Sequence, residues 1–206
     1  MVHASGASQP TSPSPAVTIG VNESLREVFP VSATAARPAP AEYDSYYHRY
    51  ISLVPEQDVL ISLDQQLADT MILLRSLSEQ HGTFRYEPGK WSVKEVLGHV
   101  TDTERIMSYR ALRIARNDRT PIEGFEQNDY VKYGSFDNRT VTTLGREYEQ
   151  VRRATISLFR NLPPDAWLRR GIANKLEISV RALAYIIAGH ELHHRALLKD
   201  KYGLGI

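Results

Sequence analysis

From Pro55 onward the apolar positions of this chain recur at helical steps. Leu60, Leu63, Leu67, Leu74 and Leu77 fall three, four or seven residues apart, which lines them along one face of a helix with 3.6 residues per turn. Pro55 suits a first turn and His81-Gly82 marks a stop, so the spacing predicts a first helix over about 56–80. A second helix follows the turn-rich "YEPGKWS". Ser92 and Glu95 form a capping box, in which the serine oxygen accepts a first-turn amide proton and the glutamate reaches back. This helix runs to about Ala115, with Val96, His99, Thr103, Ile106 and Arg110 on its inward line.

Residues 116–140 hold no sustained period and carry Pro, Gly, Asn and Asp; a connection this long in a compact domain is a crossover or a functional segment. A third helix has Leu144, Tyr148, Val151, Thr155, Leu158 and Leu162 on one line and stops at Pro163-Pro164. A fourth begins near Val180, with Ser179 as its cap. Strand-like alternation of useful length is absent. The pattern therefore predicts an all-α fold: a four-helix bundle with one long crossover between the second and third helices.

The first 40 residues break this pattern. They are rich in Ser, Pro and Ala and read as a disordered tail on the domain that follows. They lack the basic and apolar regions of a signal peptide, and no stretch approaches the roughly 20 apolar residues that span a bilayer. A net charge of +1 gives no electrostatic case for nucleic acid or an anionic membrane surface. The expectation is a cytoplasmic protein acting on a small molecule. Cysteine is absent, so any metal must be held by nitrogen and oxygen.

The chemistry concentrates near the C-terminus, in "GHELHH". His190-Glu191-x-x-His194 matches the H-E-x-x-H motif of zinc proteases. Those proteases take a third ligand from downstream, but "RALLKDKYGLGI" offers neither His nor Glu, and the protease reading fails there. On the fourth helix, Leu183, Ile187, His190, His194 and Leu197 form one line, so two imidazoles occupy positions where leucine would be expected. Imidazoles four residues apart on a helix can share one ion. A third ligand must come from upstream, and His99, on the inward line of the second helix, is the best placed. His193 falls on a neighbouring line. Glu191 is turned about 100° from His190, which leaves it beside the site or at the surface.

"YEPGKWSVKEVLGHVTDTERIMSYRALRIARND" together with "VRALAYIIAGHELHHRALLKDKYGL" resembles the DinB-like superfamily, in its YfiT-type branch of metal-dependent hydrolases and thiol transferases. The resemblance covers about residues 44–204. It rests on the Trp-Ser helix start, the histidine seven residues after that serine, and H-x-x-x-H on the last helix. It implies a four-helix bundle and a divalent ion, zinc or nickel, held by His99, His190 and His194 with water in the open positions. It also implies a homodimer and transfer of a low-molecular-weight thiol, such as bacillithiol or mycothiol, to an electrophile.

Three neutral histidines leave a divalent ion its full charge and open positions, as in catalytic zinc sites. Hydrolysis by activated water is the alternative reaction, and a non-catalytic metal-binding protein is the competing class. Asp129 and Tyr130, in the crossover stretch "EGFEQNDY", are candidates for contacting the substrate or supporting the ligands, as are Glu191 and His193. Arg110, Arg113, Arg116 and Arg119 read as a solvated face, with an anchor for an anionic thiol as the other possibility. Asp102 and Glu104 read as surface charges.

Overall fold

The structure is a computed structural model that describes Met1, residues 36–55 and residues 58–205. The tail expected over residues 1–40 lies outside the described residues between positions 2 and 35. Among the described residues the chain forms α1 (His48–Ile51), α2 (Val59–Ser76), α3 (Glu79–Thr83), α4 (Val93–Ala115), α5 (Gln127–Gly134), α6 (Val141–Arg160), β1 (Arg170–Ala173), β2 (Leu176–Ser179) and α7 (Val180–Tyr202). None of these helices is long and apolar enough to cross a membrane.

Each long helix starts where a short polar side chain can take up a free amide. Ser92 Oγ accepts from Glu95 N at 3.1 Å while Ser92 N donates to Glu95 Oε2 at 2.7 Å, so the capping box forms as the sequence requires. Ser179 Oγ accepts from Ala182 N at 3.1 Å and starts α7. The first long helix begins later than Pro55 as a first-turn residue suggests, because Asp58 is its cap: Asp58 Oδ1 accepts from Leu60 N at 2.8 Å. It ends at Ser76, and Ser78 then caps the separate short helix α3.

The four long helices α2, α4, α6 and α7 form the bundle. Each of α2 and α4 packs against both α6 and α7, which gives the cyclic order α2–α6–α4–α7. Leu63, Ile114, Tyr148, Phe159, Leu183 and Ile186 fill the interior. The buried line of α6 differs from the expected one. Arg152 and Phe159 face inward, while Val151 and Leu158 are only partly buried. An arginine occupies the core because it has partners there. Its Nε and Nη2 donate to Glu104 at 2.8 Å each, its Nη2 lies 2.6 Å from Glu191 Oε2, and its Nη1 donates to Gln66 Oε1 at 3.2 Å. Glu104 is thus a core ion-pair partner and not a surface charge. A polar residue satisfied by a fork of this kind can replace a hydrophobe on a buried stripe.

Two connecting segments pack against the histidine-bearing helices α4 and α7. The crossover runs from α4 to α6 and contains α5, a helix too short to show a period; Phe136 seals it against α4. A Cβ added at Gly98 would sit 2.3 Å from the Phe136 ring, so this approach requires glycine. Ahead of α2, residues 37–54 pack along α7. Arg37 Nη1 donates to Ile51 O at 2.7 Å, and Glu42 accepts from Arg181 Nε at 2.7 Å and from Ser179 Oγ at 2.8 Å. Here α1 lies so close to α7 that a Cβ on Gly189 would fall 2.0 Å from Tyr50 O.

A small antiparallel hairpin, absent from the sequence reading, joins α6 to α7. Strands β1 and β2 pair Arg170 with Ser179 and Ala173 with Leu176. Asn174 and Lys175 turn the chain with φ of 51° and 65°, the doubly left-handed form of tight hairpins. Four residues per strand are too few for alternation to stand out, and Asn-Lys lacks the usual glycine.

Candidate metal centre

His99 projects from α4, and His190 and His194 project from α7. The helices pack face to face along this line, and the three rings converge. His190 Nε2 lies 3.1 Å from His99 Nε2 and 3.2 Å from His194 Nε2. The ring centroids are 4.5 to 4.9 Å apart, and all three residues are buried. Trp91 lies against His99 at 4.8 Å between centroids, and Tyr50 packs edge-on to His190 at 5.3 Å. Burial, with the charge of His193 adding to it, lowers the His99 pKa to about 4. Burial also holds His190 and His194 well below the usual histidine range, with His99 and His193 adding to it for both rings and His194 adding to it for His190. At neutral pH the three rings are uncharged.

This donor set fits a divalent ion. Each neutral imidazole nitrogen carries either one proton or one in-plane lone pair. His190 Nε2 therefore cannot satisfy two neighbouring ring nitrogens at once. A single cation among the three lone pairs removes the conflict. Metal–nitrogen bonds of 2.0–2.1 Å put adjacent ligand nitrogens about 2.9 to 3.3 Å apart for octahedral to tetrahedral angles, which brackets the observed spacings.

His99 and His190 line a cavity of ≈ 330 Å³, with His194 packed behind them. One stripe of α4 forms its floor: His99, Thr103, Met107 and Arg110. Tyr46, Tyr47 and Tyr50 form one wall, from α1 and the turn before it. Phe125, Glu126 and Gln127 come from the crossover, and Asn174 and Leu176 from the hairpin. Burial raises the pKa of Tyr47 and of Tyr50, so both phenols stay protonated.

Other residues singled out from sequence fall elsewhere. His193 is exposed on the neighbouring line of α7 and contacts the Tyr50 ring at 5.5 Å. Glu191 is neither at the surface nor beside the histidines. It is 2% exposed and turned into the bundle, where it pairs with Arg152 and accepts from Thr70 Oγ1. Asp129 is exposed, and Tyr130 packs on Phe125 at 5.2 Å without lining the cavity. The crossover does reach the cavity, but through residues 125–127. Arg110 is not on a solvated face: it is buried and lines the cavity. The tyrosine wall was missed. Its signal is "YDSYYHRY", where Tyr46, Tyr47 and Tyr50 share a helical face.

Comparison with known proteins agrees with this architecture. A family model described as the DinB superfamily matches residues 62–198. The chain is 26% identical over 129 residues to OB0413 of Oceanobacillus iheyensis, a probable metal-dependent hydrolase, spanning 61% of this chain and 73% of that one. Among solved structures, it superposes on YfiT from Bacillus subtilis, a probable metal-dependent hydrolase with an unusual four-helix bundle topology. The TM-score is 0.61 at 14% identity, covering 84% of this chain and 99% of YfiT. The mycothiol-dependent maleylpyruvate isomerase superposes with a TM-score of 0.58 at 13% identity, covering 70% of this chain and 60% of the isomerase.

Proposed function

We propose that this chain, which belongs to the DinB superfamily, is a divalent-metal enzyme that transfers a low-molecular-weight thiol to an electrophilic small molecule. The observation that carries the metal reading is the convergence of three buried, uncharged Nε2 atoms beside a cavity that His99 and His190 line. His99, His190 and His194 hold the ion, zinc or nickel. When bound, such an ion supplies Lewis-acid chemistry, lowering the pKa of a thiol or water and polarising an electrophile.

The chain's own residues do the rest. The α4 stripe and the tyrosine wall bind and orient the reactants, with the Tyr47 and Tyr50 hydroxyls protonated, Tyr47 held by Arg110 and Tyr50 by Tyr46. Trp91 and Tyr50 pack against the ligand rings and keep them in place. Thiol transfer is favoured over other reactions by the likeness to a mycothiol-dependent isomerase. It is compatible with a chain that has no cysteine, because the sulfur would arrive with the cosubstrate. Hydrolysis is the second reading, favoured by the relatives described as metal-dependent hydrolases. We further propose a cytoplasmic homodimer with no nucleic-acid or membrane partner.

Elemental analysis of untagged protein, with X-ray absorption at the metal edge, tests the site. About one ion per chain with three histidine nitrogens and at least one light-atom ligand from solvent supports it. Four protein ligands would leave a structural metal and end the enzyme reading. Incubation with bacillithiol or mycothiol and a panel of electrophiles then separates the reactions: a thiol adduct supports transfer, and turnover without thiol supports hydrolysis. Light scattering tests the dimer.

A further inference from the structure

The floor of the cavity ends in a buried positive charge. Arg110 is 3% exposed, and among the described residues no carboxylate pairs with it. Its Nη2 donates to the Glu123 carbonyl at 2.9 Å, its Nη1 meets Met107 Sδ at 3.6 Å, and its Cζ lies 5.9 Å from the Phe125 ring centroid. These neighbours, with the Tyr47 hydroxyl that also hydrogen-bonds the guanidinium, fix it but do not neutralise it, and Arg110 Nε has no acceptor. Burial lowers the Arg110 pKa, with Tyr47 opposing; an arginine remains charged at neutral pH all the same. A buried cation without a counter-ion is costly, and the neighbouring fold supplies none. The one acidic residue among the described residues lining the cavity, Glu126, is taken up capping α5, where its Oε1 accepts from Asn128 N at 3.1 Å and Asn128 Nδ2 at 3.2 Å.

A second observation lies between Arg110 and the histidines. Thr103 is buried, lines the same floor, and its Oγ1 has no partner. From His99 to Arg110 the helix rises about 16 Å, and the arginine side chain leans back toward the histidines because helical side chains tilt to the N-terminus. The unsatisfied groups therefore form a row leading away from the triad.

We propose that Arg110 and Thr103 form a subsite for a carboxylate-bearing ligand laid along α4, its carboxylate on Arg110, a polar atom on Thr103 and its other end at the histidines. The arginine fork matches a planar carboxylate. A lone cation balances one negative charge, which favours a carboxylate over a phosphate dianion. Only the role of the far end rests on the metal reading. The anion subsite does not.

The test uses full-length protein, prepared both zinc-loaded and chelator-treated, titrated calorimetrically with hexanoate and with uncharged hexanamide. Saturable hexanoate binding at least about tenfold tighter than hexanamide, as expected for a charge-assisted hydrogen-bonded pair, supports the subsite. Arg110→Met should remove the preference, Arg110→Lys should keep part of it, and Thr103→Val should leave the acid–amide preference in place. Equal affinity for acid and amide, or an unchanged preference in Arg110→Met, overturns the proposal. If Arg110→Met fails to fold, loss of part of the preference in Arg110→Lys decides in its place. Should the protein hold no zinc yet still prefer hexanoate through Arg110, the metal reading fails and the anion subsite stands.

Discussion

Arg152 Nη2 lies 2.6 Å from Glu191 Oε2, and Glu191 is the residue next to His190. The arginine sits on α6 and also grips Glu104 on α4. One fully buried guanidinium, away from the cavity lining, thus ties together the two helices that carry the three histidines.

Removing that guanidinium should be severe. Arg152→Met leaves two carboxylates buried without a cation, and breaking a buried pair in this way costs about 3–5 kcal/mol. Urea unfolding at pH 7 measures it. A loss under about 1 kcal/mol, the range of exposed pairs, would mean that the pair is far more hydrated than its burial indicates.

The ligand assignment makes a selective prediction. His99→Ala and His190→Ala should each abolish stoichiometric metal binding, while His193→Ala should retain it. In the wild-type chain, zinc at a hundred times its dissociation constant should add about 2.7 kcal/mol of stability by mass action. Metal content and melting temperature report both. Equal loss in all three variants would refute the assignment.

Gly189→Ala should push α1 away from α7, because the new methyl would sit 2.0 Å from Tyr50 O, a backbone atom with little freedom to yield. Overpacking of this kind costs about 1–3 kcal/mol. Tyr50 also covers His190, so metal dissociation should speed up as stability falls. Thermal melts and chelator-exchange rates provide the two readings.

Glu42 anchors the segment before α1. Burial alone would raise its pKa; the Arg181 guanidinium, Ala39 N and Ser179 Oγ outweigh that and hold it below the usual carboxylate range. A carboxylate depressed on folding adds stability that is fully present above its unfolded pKa of about 4.3 and disappears as pH falls through the folded value. Glu42→Gln should therefore be less stable than wild type at pH 7, with the two curves converging in acid. Parallel curves down to acid pH would show that the charge of Glu42 contributes nothing.

The histidine positions and the helix starts were legible because they obey local rules. Ser92 with Glu95, Ser179, and two histidines four apart on an apolar line each express a constraint within a single helix. Glu104 was misread and Arg152 passed over because their burial depends on each other across 48 residues of chain, and either one alone resembles a solvated charge. Glu191 was left between two sites because periodicity gives its angle on the helix but not what faces it there. The hairpin and the tyrosine wall escaped for a different reason. Four-residue strands and a four-residue helix are held by tertiary contacts and carry little periodic signal of their own.

The two glycines that precede the site histidines, Gly98 and Gly189, receive the crossover and α1 respectively. The histidines themselves stand on the two longest helices, while much of the cavity wall is borrowed from connecting segments. Such a division separates reactivity from selectivity in the chain. Exchanging parts of 44–54, of 122–136 or of the hairpin, with Tyr50 and Phe136 kept, would redraw what the cavity admits while leaving the helical frame and its three nitrogens in place, so one scaffold could be retuned to new substrates by loop replacement alone.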